Sequence, residues 1–340
     1  MSEVNELRPM AMGELIDRAA SFWRSHFKAI FRLSLGFQVA QYVTLKGYVF
    51  AMTTWFPLVQ GGQKTAAAVK DNPGEVARQL VLGLATALGT LPVYALIASF
   101  AGVAVTRYTL PALLGQPHSI SDALARTRAR SLAATGGFFL SVAWLVGVSL
   151  LVVLPGTALV GLALYLGTLG KVAASAVLAV VGALAVGLGL LAAMLWYLLR
   201  FFLTAQVFAA EDLGVVAALR RSGELVSGRI GAGLGNLVKM RATLLISVMA
   251  IILTAVGVIA SLPALVIQFA YGKPFDPANN NPDAVPQGLL IPAELIQVLA
   301  QSAVGPLFVI FGVLFYVDMR ARREGLDLEV RLDALPRGLP

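Results

Sequence analysis

The residues best suited to bind an anion lie close together near the C-terminus. The stretch FYVDMRARREGLDLEVR (315–331) brings Arg320, Arg322 and Arg323 into little more than one helical turn. The planar guanidinium group of arginine matches the geometry of phosphate and carboxylate. Two interpretations are open: a site for an anionic lipid headgroup or a partner protein, or a positively charged anchor that fixes where the preceding apolar helix stops.

The order of charges in this stretch predicts pairing within one helix. Side chains four residues apart lie on the same helical face. The predicted pairs are Tyr316–Arg320, Asp318–Arg322 and Arg320–Glu324, and Gly325 is placed to end the helix in a left-handed conformation.

A second basic cluster, Arg220, Arg221 and Arg229, is a further candidate for binding lipid or a partner. Glu211 and Asp212 precede it at the end of an apolar segment. Acidic residues there can cap the following helix. They can also pair with the C-terminal basic stretch.

A third group could line a polar pathway. Glu294, Gln297 and Gln301 follow Pro292 and share one helical face of an otherwise apolar segment. Ionisable groups at membrane depth are costly and commonly functional. Proline is common in the first helical turn, however, which predicts Glu294 at the membrane interface, where its charge costs little.

If the Glu294 face points inward, its expected partners are Gln38, Gln41 or Gln268, and together they would line a polar cavity. Lys46 lies in the outer half of the first apolar segment. The sequence predicts that its long side chain extends to the membrane surface. Elsewhere, small residues at four-residue spacing predict a helix-packing face at Ser175, Ala179, Ala183 and Gly187.

The chain offers little for catalysis. It has no cysteine and only two histidines, His26 and His118, and no nucleophile is paired with a base. The glycines at 231–235 lack the flanking pattern of a phosphate-binding loop. We therefore expect no enzyme, no cofactor and no bound metal. The net charge of +8 does not indicate nucleic acid, because the basic residues follow a membrane pattern.

The elements that position these residues are apolar helices. Of the 340 residues, 58% are hydrophobic and 13% are charged, about half the charged share of soluble domains, and the mean hydropathy is +0.80. An all-α, polytopic integral membrane protein follows. We predict six transmembrane helices, at approximately 29–56, 76–108, 132–156, 172–203, 242–270 and 290–318, with Pro155-Gly156 as a bend and an extended or re-entrant turn up to Gly170.

The distribution of basic residues predicts the orientation. Cytoplasmic segments are enriched in lysine and arginine. With both termini in the cytoplasm (N-in/C-in), all but six of the 26 basic residues lie on that side. The exceptions are Lys46, Lys64, Lys70, Arg78, Lys171 and Lys273.

A threefold internal repeat is predicted within a single membrane domain covering residues 1–340. Short amphipathic segments at 13–30, 119–135 and 211–230 precede the odd-numbered helices, and each has the basic and apolar faces of a helix lying in the headgroup plane. The repeat unit is an interfacial amphipathic helix plus a transmembrane hairpin. Its three copies cover about 10–112, 113–210 and 211–325, and a cytoplasmic tail follows at 326–340.

Three stretches resemble a known family. They are MGELIDRAASFWRSHF near the start, VFAAEDLGVVAALRRSGELVSGR in the centre and FYVDMRARREGLDLE at the end. In this order they resemble the bacterial membrane family named for the membrane domain attached to some glycerophosphoryl diester phosphodiesterases, which is akin to the YciC-like six-span proteins. The resemblance implies six helices in the bacterial inner membrane and no established activity. Phosphodiesterase chemistry belongs to a separate soluble barrel.

Three functions follow as hypotheses. The first is a non-catalytic inner-membrane protein that serves as a subunit or scaffold of a membrane assembly, or that interacts with anionic membrane lipids. A homo-oligomer or other membrane subunits are possible partners. The alternative is a transporter or channel component with a polar pathway near Glu294. The third, an intramembrane lipid-processing enzyme, has the least support in the sequence.

Overall fold

The computed structural model describes residues 10–56, 72–211, 213–230, 237–272, 285 and 287–325. Within these ranges the regular secondary structure is α-helix, joined by short turns, with one isolated bridge between Arg229 and Leu237. In chain order the helices are α1 (Met12–Ser25), α2 (Phe27–Trp55), α3 (Pro73–Leu113), α4 (Ile120–Thr168), α5 (Val172–Phe201), α6 (Thr204–Ala210), α7 (Val215–Leu225), α8 (Val238–Gly272) and α9 (Gln287–Glu324). The all-α prediction is confirmed.

Among the described residues, five segments are long and apolar enough to cross a membrane. They lie in α3, α4, the α5–α6 pair, α8 and α9, with bounds Gly74–Leu113, Ile120–Thr168, Val172–Ala210, Val238–Tyr271 and Gly288–Glu324. Large apolar side chains are exposed along several of them, among them Leu151, Leu188 and Ile251. Hydrocarbon chains are as apolar as leucine, so such faces suit a bilayer. Length and hydropathy thus indicate a multi-pass membrane protein.

The first predicted transmembrane helix corresponds to α2. This helix has 29 residues, enough for a crossing, but it is not among the five most apolar segments. It contains Lys28, Arg32 and Lys46 as well as two glutamines. Two of its polar side chains, Tyr42 and Lys46, donate to Glu294 of α9.

No helix ends at the predicted bend, Pro155-Gly156. Helix α4 continues through both residues and runs for 49 residues from Ile120 to Thr168. Within a bilayer, neighbouring helices can satisfy the carbonyl that a proline frees, so a proline need not end the helix. The stretch up to Gly170 is therefore not a re-entrant turn. The second amphipathic segment also forms the first turns of α4, where the Ser119 hydroxyl accepts the Asp122 N–H at 3.1 Å.

The chain divides into two compact units, each described here by itself. Unit 1 comprises Met1–Leu132 and Leu244–Pro340, and unit 2 comprises Ala133–Thr243. This division differs from the three predicted repeats, which stay a prediction. In unit 1, α2 packs against α3 and α9, and α9 also packs against α1 and α3. The core lies in the second half of α9, where every residue from 310 to 319 is buried.

Helix α1 docks on this core through its apolar face. Leu15, Ala19 and Phe22 are buried, and the Trp23 indole Nε1 donates to the Ala303 carbonyl at 2.9 Å. The apolar stripe of the first amphipathic segment is thus covered by protein. Helix α1 is a packed part of unit 1.

In unit 2, α4 and α5 approach closely at glycines. A Cβ atom on Gly182 would lie 2.9 Å from the Gly156 carbonyl oxygen and 2.8 Å from Val160 Cγ2, and one on Gly189 would lie 2.8 Å from Val152 Cγ1. The Ser175 hydroxyl donates to the Ala163 carbonyl at 2.8 Å. The packing face therefore follows 175, 182 and 189. The predicted face at Ser175, Ala179, Ala183 and Gly187 coincides with this contact only at Ser175, because four-residue spacing drifts around the helix and leaves Ala183 and Gly187 exposed.

Candidate functional site

A polar cavity lies within unit 1, between α2 and α9, with one residue from α3. Its volume is about 260 Å³. The polar residues around it include five that the sequence predicted for such a cavity, together with two tyrosines and Lys46, which it did not predict there. The full lining is Gln38, Gln41, Tyr42, Leu45, Lys46, Val49, Tyr94, Glu294, Gln297, Val298 and Gln301.

Helical periodicity places these side chains at the cavity. On α2 the lining residues recur every three or four positions from Gln38 to Val49, and on α9 they recur from Glu294 to Gln301. Residues at this spacing form one stripe on a helix. Because α2 and α9 pack along each other, the two stripes face a common space.

An ion pair stands at the centre of the site. Lys46 Nζ donates to Glu294 Oε1 at 2.5 Å, and the Tyr42 hydroxyl donates to Glu294 Oε2 at 2.9 Å. The Lys46 and Glu294 side chains retain 28% and 23% of their exposure, so both are largely withdrawn from solvent. Each oxygen of the carboxylate thus has a donor. The two charges cancel, and the site as a whole is formally neutral.

The structure corrects two predictions here. Helix α9 begins at Gln287, so Pro292 lies inside the helix and Glu294 is in its third turn, not in the first. Lys46 does not extend away to the surface, because its ammonium group is paired with Glu294. A local reading of the sequence could not anticipate this pair, since its members are 248 residues apart.

The inward-facing alternative fits the geometry better. Gln38 and Gln41 line the cavity together with Gln297 and Gln301, as that alternative requires. Gln268 is not among the described lining residues. Tyr42 and Tyr94 were missed. The spacing of 38, 41, 42 and 46 on one helical face would have indicated Tyr42, whereas no local signal points to Tyr94.

The arginines of the C-terminal stretch are largely used in internal contacts. All three predicted pairs are confirmed: Arg322 Nε donates to Asp318 at 3.0 Å, Arg320 Nε to Glu324 at 2.8 Å, and Arg320 Nη1 to the Tyr316 hydroxyl at 3.5 Å. Arg323 is exposed near the end of α9. Gly325 has a φ of 68°, the left-handed conformation predicted for it.

Asp318 and Arg322 also bind the backbone of Met10. The Met10 N–H donates to Asp318 Oδ1 at 2.8 Å, and Arg322 Nη2 donates to the Met10 carbonyl at 2.9 Å. Asp318 is completely buried. The two charged side chains therefore bind both polar groups of one backbone residue, a role that the pattern of charges did not indicate.

The second basic cluster is organised within unit 2. Arg221 Nε donates to Glu211 at 3.1 Å, and Arg220 Nε donates to Glu224 at 2.9 Å. The sequence predicted that Glu211 caps the following helix or pairs with the C-terminal stretch, and the partner that the structure shows is Arg221. Arg229 is exposed. Helix α7 has Gly214 as its N-cap, and Asp212, the predicted cap, lies outside the described residues.

Ser222 of α7 hydrogen-bonds two backbone groups at the interruption between α5 and α6. Its hydroxyl accepts the Leu203 N–H at 3.2 Å and donates to the Arg200 carbonyl at 3.1 Å. Backbone N–H and carbonyl groups lose their helical hydrogen-bond partners where a helix is interrupted. Arg200 itself lies over the rings of Trp144 and Trp196, at 5.5 and 5.9 Å from their centroids. The sequence did not indicate either contact.

The comparisons with known proteins give no relative. No family model matches the chain, and neither the curated proteins nor the solved structures provide a match. The resemblance to the glycerophosphoryl diester phosphodiesterase membrane-domain family therefore stays a prediction. Within the described ranges, no three acidic or histidine side chains are grouped to hold a metal ion.

Proposed function

We propose that this chain is a transporter component that binds a small polar solute in the cavity around Lys46 and Glu294. The observation that carries this proposal is the ion pair, set among glutamines and tyrosines between helices α2 and α9. An ion pair at membrane depth is costly to retain, and such groups commonly mark a substrate or ion pathway.

The chemistry of the lining favours a particular class of solute. The site has one cation and one anion, so a ligand with a net charge gains no overall attraction. A zwitterion or an uncharged polar molecule can instead form hydrogen bonds with Gln41, Gln297 and Tyr94 while leaving the charge balance intact. The cavity volume of about 260 Å³ restricts the solute to a small molecule.

The scaffold or lipid-interaction hypothesis has weaker support from the geometry. Its candidate arginines are those at 220, 221, 229, 320, 322 and 323, of which Arg229 and Arg323 are exposed. The four at 220, 221, 320 and 322 each donate to a carboxylate of their own unit. Pairing of this kind reduces the positive charge that they can offer to a headgroup or a partner.

The proposed topology has six crossings, formed by α2, α3, α4, the α5–α6 pair, α8 and α9. It belongs to a bacterial inner membrane, with α1 and both termini on the cytoplasmic side. The location of most basic residues in segments assigned to the cytoplasm supports this orientation. In this arrangement α2 brings Lys46 to membrane depth opposite Glu294.

Thiol labelling from both sides of the membrane tests the pathway. Because the chain has no cysteine, a single Gln297→Cys substitution creates a unique thiol in the cavity. We expect it to react with a membrane-impermeant, charged methanethiosulfonate in both right-side-out and inside-out vesicles, since a pathway contains water.

The matched control is Leu299→Cys, two residues away on the same helix. Leu299 is 49% exposed and does not line the cavity, so its thiol should lie in hydrocarbon and react slowly. Equal rates for the two thiols, or reaction of Gln297→Cys from one face alone, would contradict a transport pathway.

A further inference from the structure

A second cavity in unit 1 is apolar and lies on the other side of α2. It is a cleft of about 500 Å³ between α2, α3 and the first turns of α4. Apart from one arginine, its lining consists of apolar side chains and one glycine. The lining residues are Arg32, Leu33, Gly36, Phe37, Ala40, Leu96, Ile97, Phe100, Ile120 and Leu124.

The cleft and the polar cavity use opposite faces of α2. Residues 32, 33, 36, 37 and 40 line the cleft, and residues 38, 41, 42, 45, 46 and 49 line the polar cavity. At 100° per residue the centres of these two sets are separated by roughly half a turn of the helix. The two cavities therefore share helix α2 but no lining residue, so a substitution can alter one without changing the lining of the other.

The dimensions of the cleft match one leaflet of a bilayer. Along α2 it extends from Arg32 to Ala40, which is roughly 12 Å of helix at about 1.5 Å per residue. Half of a hydrocarbon core is about 15 Å thick. An acyl chain is the apolar ligand that a membrane supplies at this depth, and a cleft of this length takes one chain along most of a leaflet.

A positive charge marks one end of the cleft. Arg32 is exposed, and no carboxylate of the described residues pairs with it. Lys28 is also exposed and precedes Arg32 by one turn of α2. A guanidinium group binds phosphate through two parallel hydrogen bonds, and a second cation nearby strengthens the attraction for an anionic headgroup.

We infer that this cleft binds one anionic phospholipid, with an acyl chain between Gly36, Phe37 and Phe100 and the phosphate at Arg32. The apolar lining selects the chain, and the arginine selects the charge. The site is separate from the arginines of the C-terminal stretch. It does not depend on transport through the polar cavity.

Photocrosslinking in nanodiscs tests this site. The full chain is placed in phosphatidylcholine nanodiscs with a small fraction of phosphatidylglycerol that carries a diazirine on its acyl chain. We expect crosslinks in the peptides that contain residues 32–40 and 96–100. The matching phosphatidylcholine probe should give about fivefold less product at these residues, the ratio expected for one arginine near an anionic lipid.

Three variants define the site. Arg32→Gln should lower the phosphatidylglycerol signal to the phosphatidylcholine level, whereas Arg126→Gln, which removes an exposed arginine outside the cleft, should not. Gly36→Leu should lower both signals, because a side chain there enters open space within the cleft and meets no neighbour.

Two results would overturn the inference. The first is equal crosslinking by the two lipids, which would show ordinary contact with the surrounding bilayer. The second is a phosphatidylglycerol signal that Arg32→Gln leaves unchanged in a variant that purifies as the parent does. Loss of solute transport in a separate assay of the polar cavity would not affect either result.

Discussion

At the scale of single residues, Asp318 explains why an apolar helix ends in alternating charges. Its carboxylate is fully buried and accepts hydrogen bonds from the Met10 N–H and from Arg322. A buried carboxylate is tolerated when a charge and hydrogen bonds compensate the loss of water. Here the charge comes from Arg322, one helical turn later, and the second hydrogen bond comes from the backbone of Met10. The C-terminal stretch therefore binds the segment that leads into α1.

Replacing Asp318 should therefore destabilise unit 1. In Asp318→Ala, Arg322 loses its carboxylate and the Met10 N–H loses its acceptor. We expect the free energy of unfolding, measured by reversible unfolding in mixed micelles, to fall by about 3 kcal/mol.

Glu324→Ala is the matched control in the same stretch. It removes the partner of Arg320, but both members of that pair keep about a quarter of their exposure, and the expected loss is below about 1 kcal/mol. An equal loss of unfolding free energy in the two variants would show that the contacts of Asp318 with Met10 and Arg322 contribute no more than an ordinary surface ion pair.

At the scale of elements, the glycines between α4 and α5 determine how closely these helices pack. The backbones meet where Gly156 and Gly182 face each other, since a Cβ on either would lie 2.9 Å from the carbonyl oxygen of the other. Small residues allow this approach, and in a bilayer close packing replaces the hydrophobic effect as the force between helices.

Gly182→Ala should separate the two helices. Its Cβ would overlap backbone atoms of Gly156 and Val160, which cannot rotate away, and we expect a loss of about 1 to 3 kcal/mol in unfolding free energy. Gly187→Ala, on the same helix with open space around it, should be neutral or gain up to about 1 kcal/mol from helix propensity. The ratio of unfolded to folded protein in micelles gives both values. A stable Gly182→Ala variant would contradict this contact.

The sequence predicted elements and local pairs better than it predicted contacts between elements. Arg320–Glu324 and the left-handed Gly325 follow from the spacing along one helix, and both are found. The continuation of α4 past Pro155 was not predictable, because a proline in an apolar run can end a helix or be accommodated in it. Packing decides between the two, and packing is not encoded in the local pattern.

The candidate site was predicted in part for the same reason. The stripe of Glu294, Gln297 and Gln301 was visible as helical periodicity. The packing of two helices that are far apart in the sequence decides which side of α9 faces α2. It therefore also decides whether Lys46 extends to the surface or pairs with Glu294. A charged residue in an apolar helix thus indicated a candidate site, whereas its ion-pair partner could be identified only from the fold.

At the scale of the whole molecule, α2 explains why hydropathy identifies five crossings where the proposed topology has six. One face of this helix carries Lys46, Tyr42 and two glutamines to the polar cavity, and the other carries Arg32 to the apolar cleft. These residues lower its hydropathy. In the proposed topology α2 still crosses the membrane, because its polar face lies against α9, where Lys46 and Tyr42 find a partner in Glu294.

Two single cysteines distinguish six crossings from five. Ser21 and Ser121 are exposed, and among the described residues between them the possible crossings are α2 and α3. If both helices cross, Ser21→Cys and Ser121→Cys react with an impermeant thiol reagent from the same side, which we expect to be the cytoplasmic one. If α2 does not cross, they react from opposite sides.

Thr168→Cys is the control, because α4 alone separates it from Ser121 and it must react from the opposite side to Ser121→Cys under either count. Labelling of Ser21→Cys and Ser121→Cys from opposite sides would remove Lys46 from membrane depth, and with it the basis for a transmembrane pathway at Glu294.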